Sequence, residues 1–163
     1  MVKIGINGFG RIGRLILRAL LENYKDKIQV VGINDLGSID TNAHLIKYDS
    51  THGTLPHDVS TSKDGFKILN QNIKVFAERD PANLPWGKVG ADIVLECTGL
   101  FLLVGKSIKD SNLPEEVRVG AIVRKSKVMM PKSTSVFEKN DIVVLLSKRD
   151  QLKEVENLFS ITS

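Results

Sequence analysis

The chain of 163 residues has little of several features that mark whole classes of protein. A single cysteine, Cys97, excludes an internal disulfide and fits a reducing compartment. The longest apolar runs, such as Ile142–Leu146, are far too short to cross a bilayer, so we expect no membrane insertion. The first residues pass directly into a strand pattern, which indicates no signal peptide and predicts a cytoplasmic location.

The chain also lacks a strong excess of either charge. It has 23 Lys and Arg against 19 Asp and Glu, a net charge of +4, and neither half contains a long basic block. Aromatic residues make up only 6%, which together with the charge argues against a nucleic-acid partner. The Cys, His and carboxylate residues show no metal-site spacing, so we predict no metal. The length allows one ordinary domain or two small ones.

The most specific pattern in the chain is a glycine motif between a strand and a helix. Gly8-Phe9-Gly10-Arg11-Ile12-Gly13 follows the β-branched run Val2–Ile6 and opens onto a helix-forming run. The next apolar run, from Ile28 to Ile33, is followed by Asp35 about twenty residues after the motif. Strand, glycine turn, helix, strand and acid in this order predict a dinucleotide-binding fold.

Each part of the motif has a physical role in that fold. Gly8 permits a tight turn, Gly10 lets the backbone approach a pyrophosphate, and Gly13 lets the helix pack closely on the sheet. The helix N-terminus offers N–H donors and a partial positive charge. Asp35 can accept hydrogen bonds from ribose hydroxyls and would repel a 2′-phosphate, so we predict NAD as cofactor rather than NADP. A glycine turn without any ligand is the alternative.

Residues 2–101 closely resemble the glyceraldehyde-3-phosphate dehydrogenase family. The resemblance is carried by Ile6–Arg14 and by four further strings, which are Asn34-Asp35-Leu36, Lys47-Tyr48-Asp49-Ser50-Thr51-His52-Gly53, Ala77-Glu78-Arg79-Asp80-Pro81 and Glu96-Cys97-Thr98-Gly99-Leu100-Phe101. It implies phosphate contacts near Arg11 and Ile12, Asp35 on the adenosine ribose, Arg79 beside the adenine, and Thr98 lining the groove. The predicted cofactor-binding residues are Asn7, Gly8, Phe9, Gly10, Arg11, Ile12, Gly13, Asp35, Arg79 and Thr98.

The same resemblance argues against a complete catalytic site. The family reaction needs a nucleophilic cysteine in a Ser-Cys-Thr-Thr-Asn-Cys motif and a histidine base, and neither motif is present. We interpret Cys97 as a small buried apolar residue rather than a reactive thiol. His44, His52 and His57 lie in the nucleotide-binding region. We therefore predict no catalytic residue and leave open whether the chain is an enzyme.

Residues 103–160 resemble a different family, the C-terminal domain of TrkA-type potassium-uptake regulators, also called the RCK C-terminal domain. The strings that carry it include Leu103–Pro114, Val117–Arg124 and Glu154–Phe159. The resemblance implies a dimerising, ligand-sensing module at the cytoplasmic face of a potassium channel or transporter. A generic α+β dimerisation module would account for the same pattern. The basic cluster Arg124, Lys125, Lys127 and Lys132 is interpreted as a solvated face rather than an anion site.

Periodicity and turn signals predict the remaining elements. The glycine motif should lead into a helix whose buried face holds Ile12, Leu15, Ile16, Ala19 and Leu20. A second helix should run from Ser38 to Lys47, with Ser38 or Asp40 as its cap. Short strands are expected between Val59 and Phe76 and a third buried strand over Ala91–Cys97. In the second half we predict a hairpin at Lys125-Ser126, a strand over Ile142–Leu146, and a helix over Arg149–Phe159 that opens with a Ser147-x-x-Asp150 capping box.

The predicted fold class is α/β: a truncated, parallel-sheet Rossmann domain over residues 1–101, followed by a small α+β TrkA-C-like domain over 102–163. Without later Rossmann strands, the strand at Ile93–Glu96 should expose an apolar edge. We predict a homodimer formed mainly through residues 103–163, using the apolar face Leu152, Val155, Leu158 and Phe159. The function hypotheses are an NAD(H)-binding regulator related to potassium uptake, a residual dehydrogenase, and a fusion product with no function.

Overall fold

The computed structural model describes residues 1–98, 104–125, 127–138 and 141–146, without the side chains of Ala82 and Ile142. Its main sheet contains β1 (Val2–Asn7), β2 (Ile28–Asn34), β5 (Val59–Ser62), β6 (Gly65–Ile68), β7 (Gln71–Phe76) and β8 (Ile93–Glu96). They are arranged in the order β5-β6-β7-β2-β1-β8. Strands β7, β2, β1 and β8 are parallel, while β5 and β6 form an antiparallel extension. This confirms the predicted Rossmann-like sheet.

Both faces of the parallel sheet are covered, as such a sheet requires. Successive residues of a strand point to opposite faces, so Val30 joins one core cluster and Val31 another. The first face packs against α1 (Arg11–Asn23) and α2 (Ile39–Lys47). The second packs around Trp86, the first residue of the short helix α3 (Trp86–Val89).

The buried face of α1 differs from the predicted one. Leu17 and Leu21 are fully buried, whereas Ala19 is exposed and Leu15 is only half-buried, outside the core clusters. Ile12, Ile16 and Leu20 pack at the margin of the core, as expected. The helix contains more apolar residues than one stripe can hold. The position of Gly13 sets the rotation of α1 about its axis. Its Cα faces the turn at Gly8, so Leu17 and Leu21, which follow four and eight residues later on the same side of the helix, lie against the sheet.

The other predicted elements of the first part are confirmed within small boundary shifts. Ser38 is the N-cap of α2, with its Oγ accepting a hydrogen bond from the Thr41 N–H at 3.1 Å. A small hairpin formed by β3 (Tyr48–Asp49) and β4 (Gly53–Thr54) has no counterpart among the predicted elements. The short helix α3 has no counterpart among them either.

The second part contains a separate antiparallel sheet. It is formed by β9 (Arg118–Arg124), β10 (Lys127–Met129) and β11 (Ile142–Leu146) in the order β10-β9-β11. The predicted hairpin is confirmed by the pairing of β9 with β10, and Lys125 has a φ of 47° at the turn. Its core is formed by Val117, Ile122, Phe137, Val143 and Leu145. The predicted capping box at Ser147 and the helix over Arg149–Phe159, with its dimerising face, lie outside the described residues.

Strand β8 is the last strand of the main sheet, as expected, but most of its side chains are buried rather than exposed. Strand β11 lies alongside β8, and the side chain of Val144 packs against the main core of the first part. No β-ladder joins the two strands among the described residues, so side-chain packing provides this cover. Leu95 belongs to the main core that Val144 packs against, whereas Val94 is buried in the second core cluster around Trp86. The sequence suggested no partner for this edge because β11 is separated from β8 by a whole hairpin along the chain.

Candidate functional site

The carboxyl ends of the parallel strands form the edge where a Rossmann sheet binds its ligand. After β1 the chain turns at Gly8, which has a φ of 90°. A Cβ on Gly8 would lie 2.6 Å from the backbone of Cys97 and Thr98, and a Cβ on Gly13 would lie 2.3 Å from the Gly8 carbonyl oxygen. These two glycines therefore allow close contact of the turn with β8 and of α1 with the turn.

Gly10 is different, because among the described residues no atom beyond its two chain neighbours lies within 4 Å of the position that its Cβ would occupy. It has no packing reason to be glycine and its φ of −68° suits any residue. It is the N-cap of α1, whose first-turn amides have no intrahelical partners, and that turn contains no acidic side chain. Open space beside a helix N-terminus is the environment that a pyrophosphate requires. Arg11 next to it is exposed and Ile12 is half-buried.

Asp35 and Arg79 lie together on the side of the site formed by β2 and β7. The Asp35 N–H donates to the Phe76 carbonyl at 2.9 Å, which ties the end of β2 to the end of β7. Asp35 Oδ1 accepts a hydrogen bond from the Gly37 N–H at 2.8 Å. Within the described residues Oδ2 has no protein partner, and Arg79, three residues after Phe76, is exposed. The resemblance placed these two residues at the adenosine end, and the fold brings them to one edge.

Two of the predicted residues do not face the groove with their side chains. Asn7 and Phe9 are buried, and the Phe9 ring packs against Phe66 with centroids 6.1 Å apart. Any contact of theirs with a ligand would be through the backbone. Thr98 follows β8 and is half-buried at the opposite end of the site from Arg79.

A row of buried polar side chains, which we call the polar row, lies beneath the site. It consists of Asn34, Asn7 and Glu96, the last residues of β2, β1 and β8, which are register partners across the sheet. Asn34 Nδ2 donates to Asn7 Oδ1 at 2.8 Å, and Asn7 Nδ2 donates to Glu96 Oε2 at 2.5 Å. Sequence reasoning missed this row. The available signal was that all three strands end in a polar residue.

The burial of β8 changes the chemistry of two titratable groups at its end. Burial raises the pKa of the Glu96 carboxyl. Hydrogen bonds from Thr98 and Asn7 oppose this rise without cancelling it. Burial, together with the neighbouring charge of Glu96, raises the pKa of the Cys97 thiol to about 12. Cys97 belongs to the main core cluster, so the interpretation as a buried apolar residue is confirmed.

The remaining titratable clusters have local explanations. Arg124 of the basic cluster binds Asp141 through Nε at 2.8 Å and Nη2 at 2.7 Å, and its Nη1 contacts Glu138. This pairing lowers the pKa of Asp141. Lys125, Lys127 and Lys132 are exposed, as a solvated face requires. No group of three potential metal ligands occurs among the residues that the structure describes. The described helices include none long and apolar enough to cross a membrane.

These observations fit the binding of NAD. Gly10 leaves open the volume that a methyl group would fill beside the N-terminus of α1, and Asp35, at the end of β2, lies at the same edge of the sheet with no partner for Oδ2 among the described residues. Gly8, Gly10, Arg11 and Ile12 would hold the pyrophosphate, and Asp35 the adenosine ribose. NAD, when bound, supplies a nicotinamide ring that accepts or donates hydride.

Two sequence families match the chain. The model of the family described as "Glyceraldehyde 3-phosphate dehydrogenase, NAD binding domain" matches residues 2–103, and the model described as "TrkA-C domain" matches residues 102–160. The chromosomal glyceraldehyde-3-phosphate dehydrogenase of Cupriavidus necator is 54% identical over 101 residues, which are 61% of this chain and 30% of that protein. The Haemophilus influenzae enzyme is 56% identical over 102 residues, 62% of this chain and 29% of that protein.

One relative is similar over a longer stretch. Glyceraldehyde-3-phosphate dehydrogenase 1 of Bacillus cereus is 42% identical over 157 residues, which are 96% of this chain and 42% of that protein. This similarity continues into the segment that the TrkA-C model also matches. The chain thus spans between 29% and 42% of the length of these three relatives. Since the first family model covers residues 2–103, more than half of the chain, the chain belongs to the family of glyceraldehyde 3-phosphate dehydrogenase NAD-binding domains.

Proposed function

We propose that this chain is an NAD(H)-binding regulatory protein without a catalytic site of its own, related to potassium uptake. The observation that carries the NAD-binding part is Gly10, whose missing Cβ leaves open space at the N-terminus of α1 rather than room for protein atoms. We place the domain boundary near residues 101 and 102, which the limits of the two family matches support. Arg79 and Thr98 flank the groove from opposite ends, and Asp35 selects NAD over NADP.

The test is calorimetric titration of NAD into the purified chain. The proposed contacts lie mainly on the adenosine and pyrophosphate side, so we expect a dissociation constant roughly in the micromolar to millimolar range. Gly10→Ala should weaken binding by about tenfold or more, because the methyl group would occupy the approach to the pyrophosphate while contacting none of the described residues beyond its chain neighbours. Its fold should be unchanged.

Gly120→Ala is the matched control. Gly120 lies in β9, and a Cβ there would make ordinary contacts of 3.5 Å or more. It should leave NAD binding as in the unsubstituted chain. Absence of NAD binding, a preference for NADP, or equal binding by the Gly10→Ala protein would contradict the proposal.

The second part provides the proposed regulatory role. The match of residues 102–160 to the TrkA-C domain supports a ligand-sensing module that acts on a potassium transporter subunit from the cytoplasm. We propose a homodimer formed mainly through this part. Val128 lies on the outer strand β10 and Met130 directly follows that strand. Both side chains are exposed, which supports a dimer interface at this strand. Sedimentation at micromolar concentration tests this, and a stable monomer would contradict it.

A truncated glyceraldehyde-3-phosphate dehydrogenase is the second candidate. It is favoured by the similarity to the Bacillus cereus enzyme, which extends over 96% of this chain rather than ending at the domain boundary. The two candidates differ in what they predict for turnover. A residual enzyme would form NADH from the aldehyde, phosphate and NAD, whereas the regulator would bind NAD without converting the substrate.

A further inference from the structure

The polar row has a fixed hydrogen-bonding direction, set at one end by backbone. Asn34 Oδ1 accepts from the Glu78 N–H at 2.9 Å, and Asn34 Nδ2 donates to the Glu78 carbonyl at 2.9 Å. A backbone amide and carbonyl cannot exchange roles, so the amide of Asn34 has one orientation. Its Nδ2 also donates to Asn7 Oδ1, which turns Asn7 Nδ2 toward residue 96.

At the other end of the row, both side-chain oxygens of residue 96 must accept hydrogen bonds. Glu96 Oε2 accepts from Asn7 Nδ2, and Oε1 accepts from the Thr98 N–H at 2.8 Å and the Thr98 Oγ at 2.5 Å. A glutamine has the same shape but only one accepting oxygen, so its NH2 group would meet either the Asn7 NH2 or the Thr98 N–H. Glu96 is 9% exposed, so water cannot relieve that mismatch.

The row ends on the two segments that flank the cofactor groove. Glu78 immediately precedes Arg79, and Thr98 is itself one of the proposed groove residues. One line of hydrogen bonds therefore runs from the adenine side, beneath Gly8, to the far side of the site. We propose that Glu96 is a positioning residue for the cofactor, which through Asn7, Asn34 and Thr98 holds both flanks of the groove at the spacing that NAD requires. This inference rests on the proposed function.

The decisive experiment moves the carboxylate within the row. Glu96→Gln should weaken NAD binding by about tenfold or more, measured by calorimetry. The double variant Asn7→Asp/Glu96→Gln should restore binding to within about threefold of the unsubstituted chain. In it the new carboxylate at position 7 would accept from Asn34 Nδ2 and from the new NH2 group at position 96, while the amide oxygen at position 96 would accept from Thr98. The double variant has the same net charge and the same number of hydrogen bonds as the original row.

A second measurement reports on the hydrogen bonds of the polar row in the ligand-free protein. Hydrogen exchange of the Glu78 and Thr98 backbone amides, measured by NMR, should become faster in Glu96→Gln and slow again in the double variant. Glu22→Gln and Asn72→Asp, at exposed positions of α1 and β7, are matched controls and should change neither readout. They separate an effect of the polar row from a general effect of charge.

The outcomes distinguish the two proposals. If the unsubstituted chain does not bind NAD, the proposed function fails and the cofactor role of Glu96 fails with it. If the unsubstituted chain binds NAD and Glu96→Gln binds equally well, only the positioning role is overturned. A double variant that binds no better than Glu96→Gln, although folded by circular dichroism, would also overturn it.

Discussion

The sulfur of Cys97 lies within the main core, beside the carboxylate of Glu96, and this position sets its reactivity. Only a thiolate attacks an electrophile at a useful rate, and a pKa raised to about 12 from 9.0 reduces the thiolate fraction near neutral pH by roughly a thousandfold. We therefore expect iodoacetamide to alkylate the native protein at pH 8 at least about a hundredfold more slowly than the urea-unfolded protein. Mass spectrometry over time measures both rates.

The same residue gives the expected outcome for enzymatic turnover. No NADH should form from glyceraldehyde 3-phosphate, phosphate and NAD, because Cys97 is the only thiol in the sequence and is shielded from substrate. A Cys97→Ser protein is the control for both assays. Rapid labelling of the native chain, or turnover that disappears in the Cys97→Ser protein, would make Cys97 a nucleophile and favour the dehydrogenase candidate.

At the scale of elements, Arg18 connects α1 to the end of α2. Its Nη2 lies 2.7 Å from the carbonyl oxygen of Ile46 and 3.1 Å from that of Lys47, and it also reaches Gly53 in β4 at 3.0 Å. A cation at a helix C-terminus satisfies carbonyls that have no intrahelical donor. Because Arg18 is buried, Arg18→Met should leave these acceptors without partners and lower the free energy of unfolding by roughly 2–3 kcal/mol.

Urea unfolding of the ligand-free protein measures this loss. Arg11→Met, the same substitution at an exposed position of the same helix, should change the free energy of unfolding by no more than about 0.5 kcal/mol. Equal effects of the two substitutions would show that the loss of charge, rather than the capping contacts of Arg18, sets the stability.

At the scale of the whole molecule, we expect the packing of β11 beside β8 to make the two sheets unfold as one cooperative unit. Val144 belongs to the second sheet but packs on the core of the first. Val144→Asp should therefore lower the free energy of unfolding by roughly 2–3 kcal/mol. The shift should be visible in the fluorescence of Trp86, the only tryptophan, which is buried under the first sheet.

Thr61→Asp is the control, since Thr61 is exposed on the edge strand β5 and should change the free energy of unfolding by no more than about 0.5 kcal/mol. We expect one urea transition, with coincident midpoints from Trp86 fluorescence and circular dichroism. Two separate transitions, with the Trp86 signal unaffected by Val144→Asp, would mean that the two parts fold independently.

Local sequence was enough to predict most elements and the chemistry of the glycine motif. Strands, the Ser38 cap and the hairpin at Lys125 follow from side-chain alternation, capping and turn preferences, all of which act over a few residues. The packing roles of Gly8 and Gly13 could be predicted because each depends on the absence of one Cβ, whereas the role of Gly10 toward a pyrophosphate stays a prediction. The position of Asp35 followed from the order of strand, turn, helix and strand.

Which distant groups meet could be known only from the folded chain. The rotation of α1, the cover of β8 by β11, and the polar row formed by Asn34, Asn7 and Glu96 all depend on contacts between segments far apart in the chain. A polar residue at the end of a strand is ordinary in sequence. It becomes part of a directional network only when the register of parallel strands places three such residues side by side and burial removes water as an alternative partner.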